Sequence, residues 1–143
     1  MKGNETHTVW NENIALEEIL QSLGENCFSE ILSKKKLDYN DYIRKVKAYA
    51  EATSKEITTT QLRNIFSRII KIKISNIDDL HVLRPKLAFV AGRSDNKMKT
   101  LVFLLDCLIT KIDNDPEKLR QFQDFFEAIV AYHKYYEHEK GSK

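Results

Sequence analysis

Hydrophobic residues return every three or four positions along the C-terminal part of the chain, and this spacing constrains the fold more than any other feature. Such a pattern places side chains on one face of an α-helix, and over more than two heptads it predicts a long helix that packs on a neighbouring helix, in the same chain or in another subunit. Asp115, Pro116 and Glu117 supply the N-cap, first-turn proline and early acidic residue typical of a helix start. The stripe consists of Leu119, Phe122, Phe126, Ile129, His133 and Tyr136.

A similar periodicity predicts helices along most of the preceding chain. Thr58 and Gln61 have the spacing of a capping box, which predicts a helix start at this point. Pro85 interrupts one segment, so we expect a helix to restart near this proline. The segment 100–112 is too apolar for a surface helix, and we expect it to be central and buried. The predicted helical segments are 14–23, 39–52, 57–74, 80–93 and 100–112.

Composition supports a single all-α domain. The chain has 143 residues, of which 42% are hydrophobic, and it contains only 4 glycines and 2 prolines. A core of this size suits one domain, and so few turn-forming residues disfavour a β-sandwich or barrel. We predict one compact bundle of five to six helices over 14–140 with a long C-terminal helix. A mobile polar segment, 1–13, precedes it, and Val9 and Trp10 within that segment could dock on the domain.

The two cysteines and the polar N-terminus favour a cytoplasmic location. Cys27 and Cys107 form no C-x-x-C pattern, which is typical of reduced thiols inside cells. The N-terminal residues contain no apolar export signal. The longest apolar run, 101–105, ends at Asp106 and is too short to cross a membrane.

The sequence lacks the motifs of common catalytic and cofactor sites. None of the glycine-dependent patterns G-x-x-x-x-G-K-[ST], G-x-G-x-x-G and G-x-S-x-G occurs. The four histidines are too scattered for a zinc site. We therefore expect a protein that is not an enzyme and that uses no metal and no cofactor. His133, which lies on the apolar stripe, is interpreted as a hydrogen-bonded histidine in the interior or at an interface.

Basic residues are concentrated in the middle of the chain. Residues 55–100 contain 10 basic and 4 acidic groups, although the net charge of the whole chain is only +2. Such a cluster indicates an anionic partner such as a nucleic acid, with a solvated helix face as the alternative. The hydroxyls and helix N-terminal N–H groups at 58–60 also suit phosphates. Phe66 and Phe89 fall on predicted core faces, so we expect contact with phosphates rather than stacking on bases.

Three ordered blocks of sequence resemble a known family. They are EITTTQLRNIFSRI, LRPKLAFVAGR and FFEAIVAYHKYY, and they lie between about Tyr39 and Tyr136. Together they resemble the small helical subunit of type III-A CRISPR (Csm) effector complexes. The resemblance implies an all-helical, non-catalytic subunit that stacks in several copies, beside the backbone and large subunits, and contacts guide RNA and target RNA. Base pairing would then supply the sequence specificity, and the subunit would contact phosphates.

The resemblance also implies roles for individual residues. Each basic candidate has an alternative role in a local ion pair, for example with Asp78, Asp79 or Asp95. The first candidates for RNA contact are Arg63, Arg84, Lys86 and Arg93, and the second are Arg68, Lys71 and Lys97. The candidates for packing between subunits are Phe126, Tyr132, His133, Tyr135 and Tyr136.

Two other interpretations of the sequence remain open. The segment TTTQLRNIFSRII could be the recognition helix of a helix-turn-helix DNA-binding domain. The C-terminal stripe could instead serve a helical adaptor that binds one protein partner.

Overall fold

The computed structural model describes residues 9–140, with side chains placed through residue 137. Within this part of the chain there are seven α-helices, a 3-10 turn at Ile74–Asn76 and no β-strand. The α-helices are α1 (Glu12–Leu23), α2 (Cys27–Ile31), α3 (Tyr39–Thr53), α4 (Thr59–Ile69), α5 (Asp78–Gly92), α6 (Asn96–Thr110) and α7 (Pro116–Lys140).

Local signals in the sequence place the ends of several helices correctly. The side chain of Thr58 accepts the N–H of Gln61, and the Gln61 side chain accepts the N–H of Thr58, so the capping box at the start of α4 is formed. The Asp115 carboxylate accepts the N–H of Glu117 at 2.9 Å and begins α7 at Pro116. The prediction of an all-α chain with a long C-terminal helix is confirmed, since α7 has 25 residues.

Three local features differ from the expectation. The first is the end of α4, which stops at Ile69 and does not continue to residue 74. The short apolar segment before Lys34 forms a separate five-residue helix, α2, which raises the number of helices to seven. The third difference is that α5 runs without a break through Pro85. A proline inside a helix costs about 3 kcal/mol or more. The buried leucines Leu83 and Leu87 lie on both sides of Pro85, and each contributes about 1.5–3 kcal/mol on burial, which offsets that cost.

The helices pack as two groups that share one core. α7 packs along α3 and α4, while α6 packs along α1 and α5, and contact between α1 and α3 joins the groups. Leu104 and Leu105 of α6 and Phe122 and Phe126 of α7 have no exposed surface. The prediction that the segment 100–112 is a buried central helix is therefore confirmed. In this arrangement α4 and α5 each have one face in the core and another in solvent.

The described part of the N-terminal segment is attached to the bundle. The indole Nε1 of Trp10 donates a hydrogen bond to Thr100 Oγ1 of α6 at 3.0 Å, as the docking expectation for Trp10 requires. Val9, the other residue expected to dock, is exposed instead. The Asn11 side chain accepts the N–H of Ile14 and starts α1 at Glu12. The rest of the segment expected to be mobile, residues 1–8, lies outside the described residues.

A buried lysine holds the connection between α2 and α3. The Lys36 ammonium donates to the backbone carbonyls of Glu30, Ile31 and Ser33. It also lies 4.6 Å from the centre of the Tyr42 ring. Burial lowers the pKa of Lys36. The ammonium is therefore a structural group that satisfies carbonyls at the end of α2.

We expect Lys36→Met to lower the free energy of unfolding by about 1–3 kcal/mol, because it leaves buried carbonyls without a donor. Urea denaturation monitored by circular dichroism measures this change. Lys35→Met is the matched control, since the Lys35 side chain is exposed. Equal unfolding midpoints for the two variants would show that the Lys36 hydrogen bonds do not stabilise the fold.

Candidate nucleic-acid interface

The outer side of α4 carries three cationic residues, Arg63, Arg68 and, just past the helix end, Lys71. We call these three residues the α4 cationic face. All three are exposed, because the opposite side of α4 is buried in the core. Within the described residues none of the three has a carboxylate within ion-pair distance. Residues 57–77 also contain Lys73 and no acidic residue, so the charge of this face is not neutralised by its own segment.

The N-terminus of α4 is already occupied by a carboxylate from α7. Thr59 donates its backbone N–H to Glu137 Oε2 at 3.3 Å and its hydroxyl to Glu137 Oε1 at 2.5 Å. These hydrogen bonds hold the pKa of Glu137 below its usual value. Thr59 itself is buried. The expectation that this helix N-terminus suits a phosphate is therefore wrong for Thr59, since Glu137 binds the N–H and the hydroxyl that an anion would need.

His133 lies beneath the same end of α4 and belongs to the interior. Its side chain has no exposed surface, and its Nδ1 lies 3.0 Å from Thr59 Oγ1. Its Nε2 donates to the carbonyl of Ile57, because a carbonyl oxygen only accepts. The interpretation of His133 as a hydrogen-bonded interior histidine is confirmed.

The C-terminal end of α4 is held by a second residue of α7. The Gln123 side-chain amide donates to the carbonyls of Ile69 and Ile72 at 3.0 and 2.9 Å. These bonds satisfy backbone acceptors at and beyond the helix end. They also fix the backbone on both sides of Lys71, so that the α4 cationic face is presented by a segment tied to α7 at both ends.

The other four basic candidates divide into two exposed residues and two ion-paired residues. Lys86 and Arg93 are exposed on the outer side of α5, and we call them the α5 cationic pair. Arg84 instead binds Asp106 of α6 with two hydrogen bonds, at 2.6 and 3.1 Å. Lys97 lies 2.7 Å from Glu18 of α1. Arg84 and Lys97 therefore connect helices, and their charges are balanced by neighbouring carboxylates.

Phe89 is an exposed aromatic residue that the sequence pattern places in the core. Its side chain is 66% exposed, and the Arg93 guanidinium lies 5.6 Å from the centre of its ring. The expectation for Phe89 is wrong because apolar residues occur on nearly every side of α5, so that periodicity does not identify the buried face. Phe66 is half-buried and packs against Phe126 with 6.1 Å between the ring centres, which agrees with a core position.

The residues expected to pack between subunits have different surroundings in the structure. Phe126 and His133 have no exposed surface, so they pack inside this chain and offer no side chain to a neighbour. Tyr132 and Tyr136 are half-buried, and Tyr135 is 65% exposed with its ring edge-on to Tyr136. These tyrosines leave some aromatic surface accessible at the C-terminal end of α7.

Other parts of the described surface add little chemistry. A groove of about 570 Å³ lies between α5 and α6 beside Trp10, with the Arg84–Asp106 ion pair in its wall. Among the described residues, no group of three or more histidine, cysteine or acidic side chains is placed to hold a metal ion. The described helices include none that is both long and apolar enough to cross a membrane.

Comparison with protein families gives a match over most of the chain. Residues 36–139, well over half of the sequence, match the family described as Csm2 Type III-A. The chain belongs to the Csm2 type III-A family. No curated protein and no solved structure matches it.

Membership of the Csm2 family makes the chain a small subunit of the type III-A CRISPR-Cas (Csm) complex. Its partners therefore include the other subunits of that complex and the guide RNA. The match begins at Lys36, so it includes α3 to α6 with all seven basic candidates and leaves α1 and α2 outside. The resemblance found in the sequence is confirmed.

The Arg84–Asp106 ion pair can be tested directly, and it represents the basic residues that connect helices rather than face solvent. Both side chains are about one-third exposed, so we expect a coupling free energy of about 0.5–1 kcal/mol in a double-mutant cycle of Arg84→Ala and Asp106→Ala. Urea denaturation of the four proteins measures it. A cycle of Lys86→Ala with Asp106→Ala is the control and should be additive. The same coupling in both cycles would contradict a specific Arg84 pair.

The Glu137–Thr59 contact predicts a pH dependence of stability. Because the folded state lowers the pKa of Glu137 from its ordinary value of 4.5, ionised Glu137 stabilises the fold above that pH. The stabilisation is lost as the pH falls below 4.5 and Glu137 becomes protonated. We expect Glu137→Gln to have a lower free energy of unfolding than wild type at pH 7, measured by urea denaturation, and we expect this difference to shrink as the pH falls below 4.5. The control is Glu127→Gln, at an exposed site of α7. A difference at pH 7 that persists unchanged at pH 3 would contradict this account.

Proposed function

We propose that the α4 cationic face holds RNA in the type III-A complex by contacts with phosphates. The observation that carries this proposal is the set of three exposed cations in a segment, 57–77, that contains no acidic residue. Clustered positive charge attracts the phosphates of a nucleic acid without regard to sequence. The α5 cationic pair extends the proposed contact, since Lys86 and Arg93 are exposed and form no ion pair among the described residues.

Phosphate contact fits the division of labour in an RNA-guided complex. Arginine and lysine contacts with phosphates position a strand but do not read its bases. Pairing between guide RNA and target RNA supplies the sequence specificity, and the small subunit helps to retain the strands. Attachment of α4 to α7 at both ends suits this role, because it fixes where the cations stand.

We also propose that the subunit is non-catalytic, acts in the cytoplasm and stacks in several copies beside the backbone and large subunits. Family membership supports the assembly part of this proposal. The partly exposed Tyr132 and Tyr136 are the candidates for contact between neighbouring copies, since Phe126 and His133 are enclosed in the chain's own core. Arg84 and Lys97 are assigned to the fold rather than to RNA because each already has a carboxylate partner.

Charge reversal in the reconstituted complex tests the RNA contact. We expect Arg63→Glu with Arg68→Glu to lower target-RNA retention about tenfold near physiological salt and to make retention less dependent on salt, because phosphate contacts release bound cations. A filter-retention assay over a series of salt concentrations measures both effects. The domain should stay folded, since both side chains are exposed.

The outer side of α7 offers a control with the same change in charge. Arg120 and Lys134 are exposed there, next to the exposed acidic residues Asp124 and Glu127. Arg120→Glu with Lys134→Glu should leave retention near the wild-type value, because this surface is not cationic. Equal loss for the two double variants would mean that net charge matters and the position on α4 does not. Unchanged retention for both would contradict RNA contact by α4.

A further inference from the structure

The outer side of α5 exposes apolar side chains that the core does not use. Leu80, Leu83 and Leu87 form the buried side of this helix. On the other side Val82 is 57% exposed and Phe89 is 66% exposed, although burying an aromatic ring stabilises a fold more than burying most side chains. Phe89 is therefore accessible to a partner of this chain.

Phe89 stands between the two members of the α5 cationic pair. Arg93 lies one turn after it, with the guanidinium carbon 5.6 Å from the ring centre, and Lys86 lies one turn before it. At about 100° per residue the three side chains leave the helix within an arc of about 60°. No acidic residue occurs between Lys86 and Arg93. The surface thus offers an accessible aromatic face with a cation on each side.

We propose that Phe89 is a stacking platform for an unpaired base of RNA, with Lys86 and Arg93 contacting the phosphates on either side of that base. This inference rests on the proposed RNA-contacting function and makes it more specific. Every base has a face that stacks on an aromatic ring, so the platform needs no particular sequence. Bases inside a helix are already stacked on their neighbours, so the platform requires a base that is single-stranded or turned out of a duplex.

The charges around Phe89 favour RNA over a protein as the occupant. An apolar protein partner that covered the ring would also have to remove water from Lys86 and Arg93, which is costly for unpaired charges. A nucleotide supplies an apolar base face together with a phosphate for these cations. Tyr135 has nearly the same exposure as Phe89, but its ring already packs edge-on against the ring of Tyr136, with 5.1 Å between the ring centres. We therefore do not assign it as a stacking platform.

Titration of the full chain with two RNA strands that carry the same number of phosphates tests the platform. One strand is a hexamer of adenosine, and the other has the same backbone with all bases removed; both carry a fluorescent label for anisotropy at low salt. We expect the wild type to prefer the adenosine strand by about fivefold or more, as base–aromatic stacking provides. Phe89→Ala should bind both strands equally, and Phe89→Trp should keep the preference.

Two control variants separate stacking from other causes. Tyr135→Ala removes an aromatic ring of equal exposure, and Val82→Ala removes an apolar side chain from the same side of α5. Both should keep the preference for the adenosine strand. Thermal unfolding of Phe89→Ala should match that of the wild type, because the ring is outside the core.

The possible results distinguish this inference from the function on which it rests. Retention of the preference by Phe89→Ala overturns the platform and leaves the phosphate contacts in place. Failure of the wild type to bind either strand, up to millimolar protein, overturns the platform, whereas the phosphate contacts within the complex are decided by the charge-reversal assay. If Phe89→Ala leaves the preference unchanged but no longer co-purifies with the other subunits, the ring is a protein contact and the platform is rejected.

Discussion

The packing of α4 on α7 is the interaction on which the proposed interface depends. The two helices run antiparallel, because Glu137 near the end of α7 binds the start of α4 and Gln123 near its beginning binds the end of α4. Between these hydrogen bonds, Leu62 of α4 and Ile129 of α7 are fully buried in the shared core. A helix attached in this way has little freedom to rotate, so its outer side is fixed toward solvent.

The same packing decides which charges of the subunit are available. Arg84 forms an ion pair with Asp106, and Lys97 forms one with Glu18. In both pairs the carboxylate lies on a neighbouring helix and is distant in sequence. At α4 the neighbour is the apolar side of α7, and the Glu137 carboxylate of α7 accepts hydrogen bonds from the backbone and hydroxyl of Thr59. Arg63, Arg68 and Lys71 form no ion pair with a carboxylate of the described residues, so they are available to bind an anionic partner.

Exposure of Phe89 follows from how α5 is placed at the edge of the bundle. α5 packs mainly on α6, so only one side of α5 is covered by a neighbouring helix. Leu80, Leu83, Leu87 and Ala91 take that side, whereas Val82, Phe89 and Val90 are exposed. An aromatic ring with cations around it is thereby left accessible in a subunit whose complex handles RNA.

The sequence by itself determined the helical class, most helix positions and the family. Those properties depend on local spacing, as in the capping box of Thr58 and the stripe that includes Phe122, and on blocks of neighbouring residues. It also places most basic residues in the middle of the chain. Only the tertiary structure decided which basic residues are paired, that Glu137 occupies the start of α4, and that Phe89 faces solvent. These outcomes depend on contacts between residues 22 to 79 positions apart, which form only when the helices pack. Local periodicity carries no information about such long-range contacts.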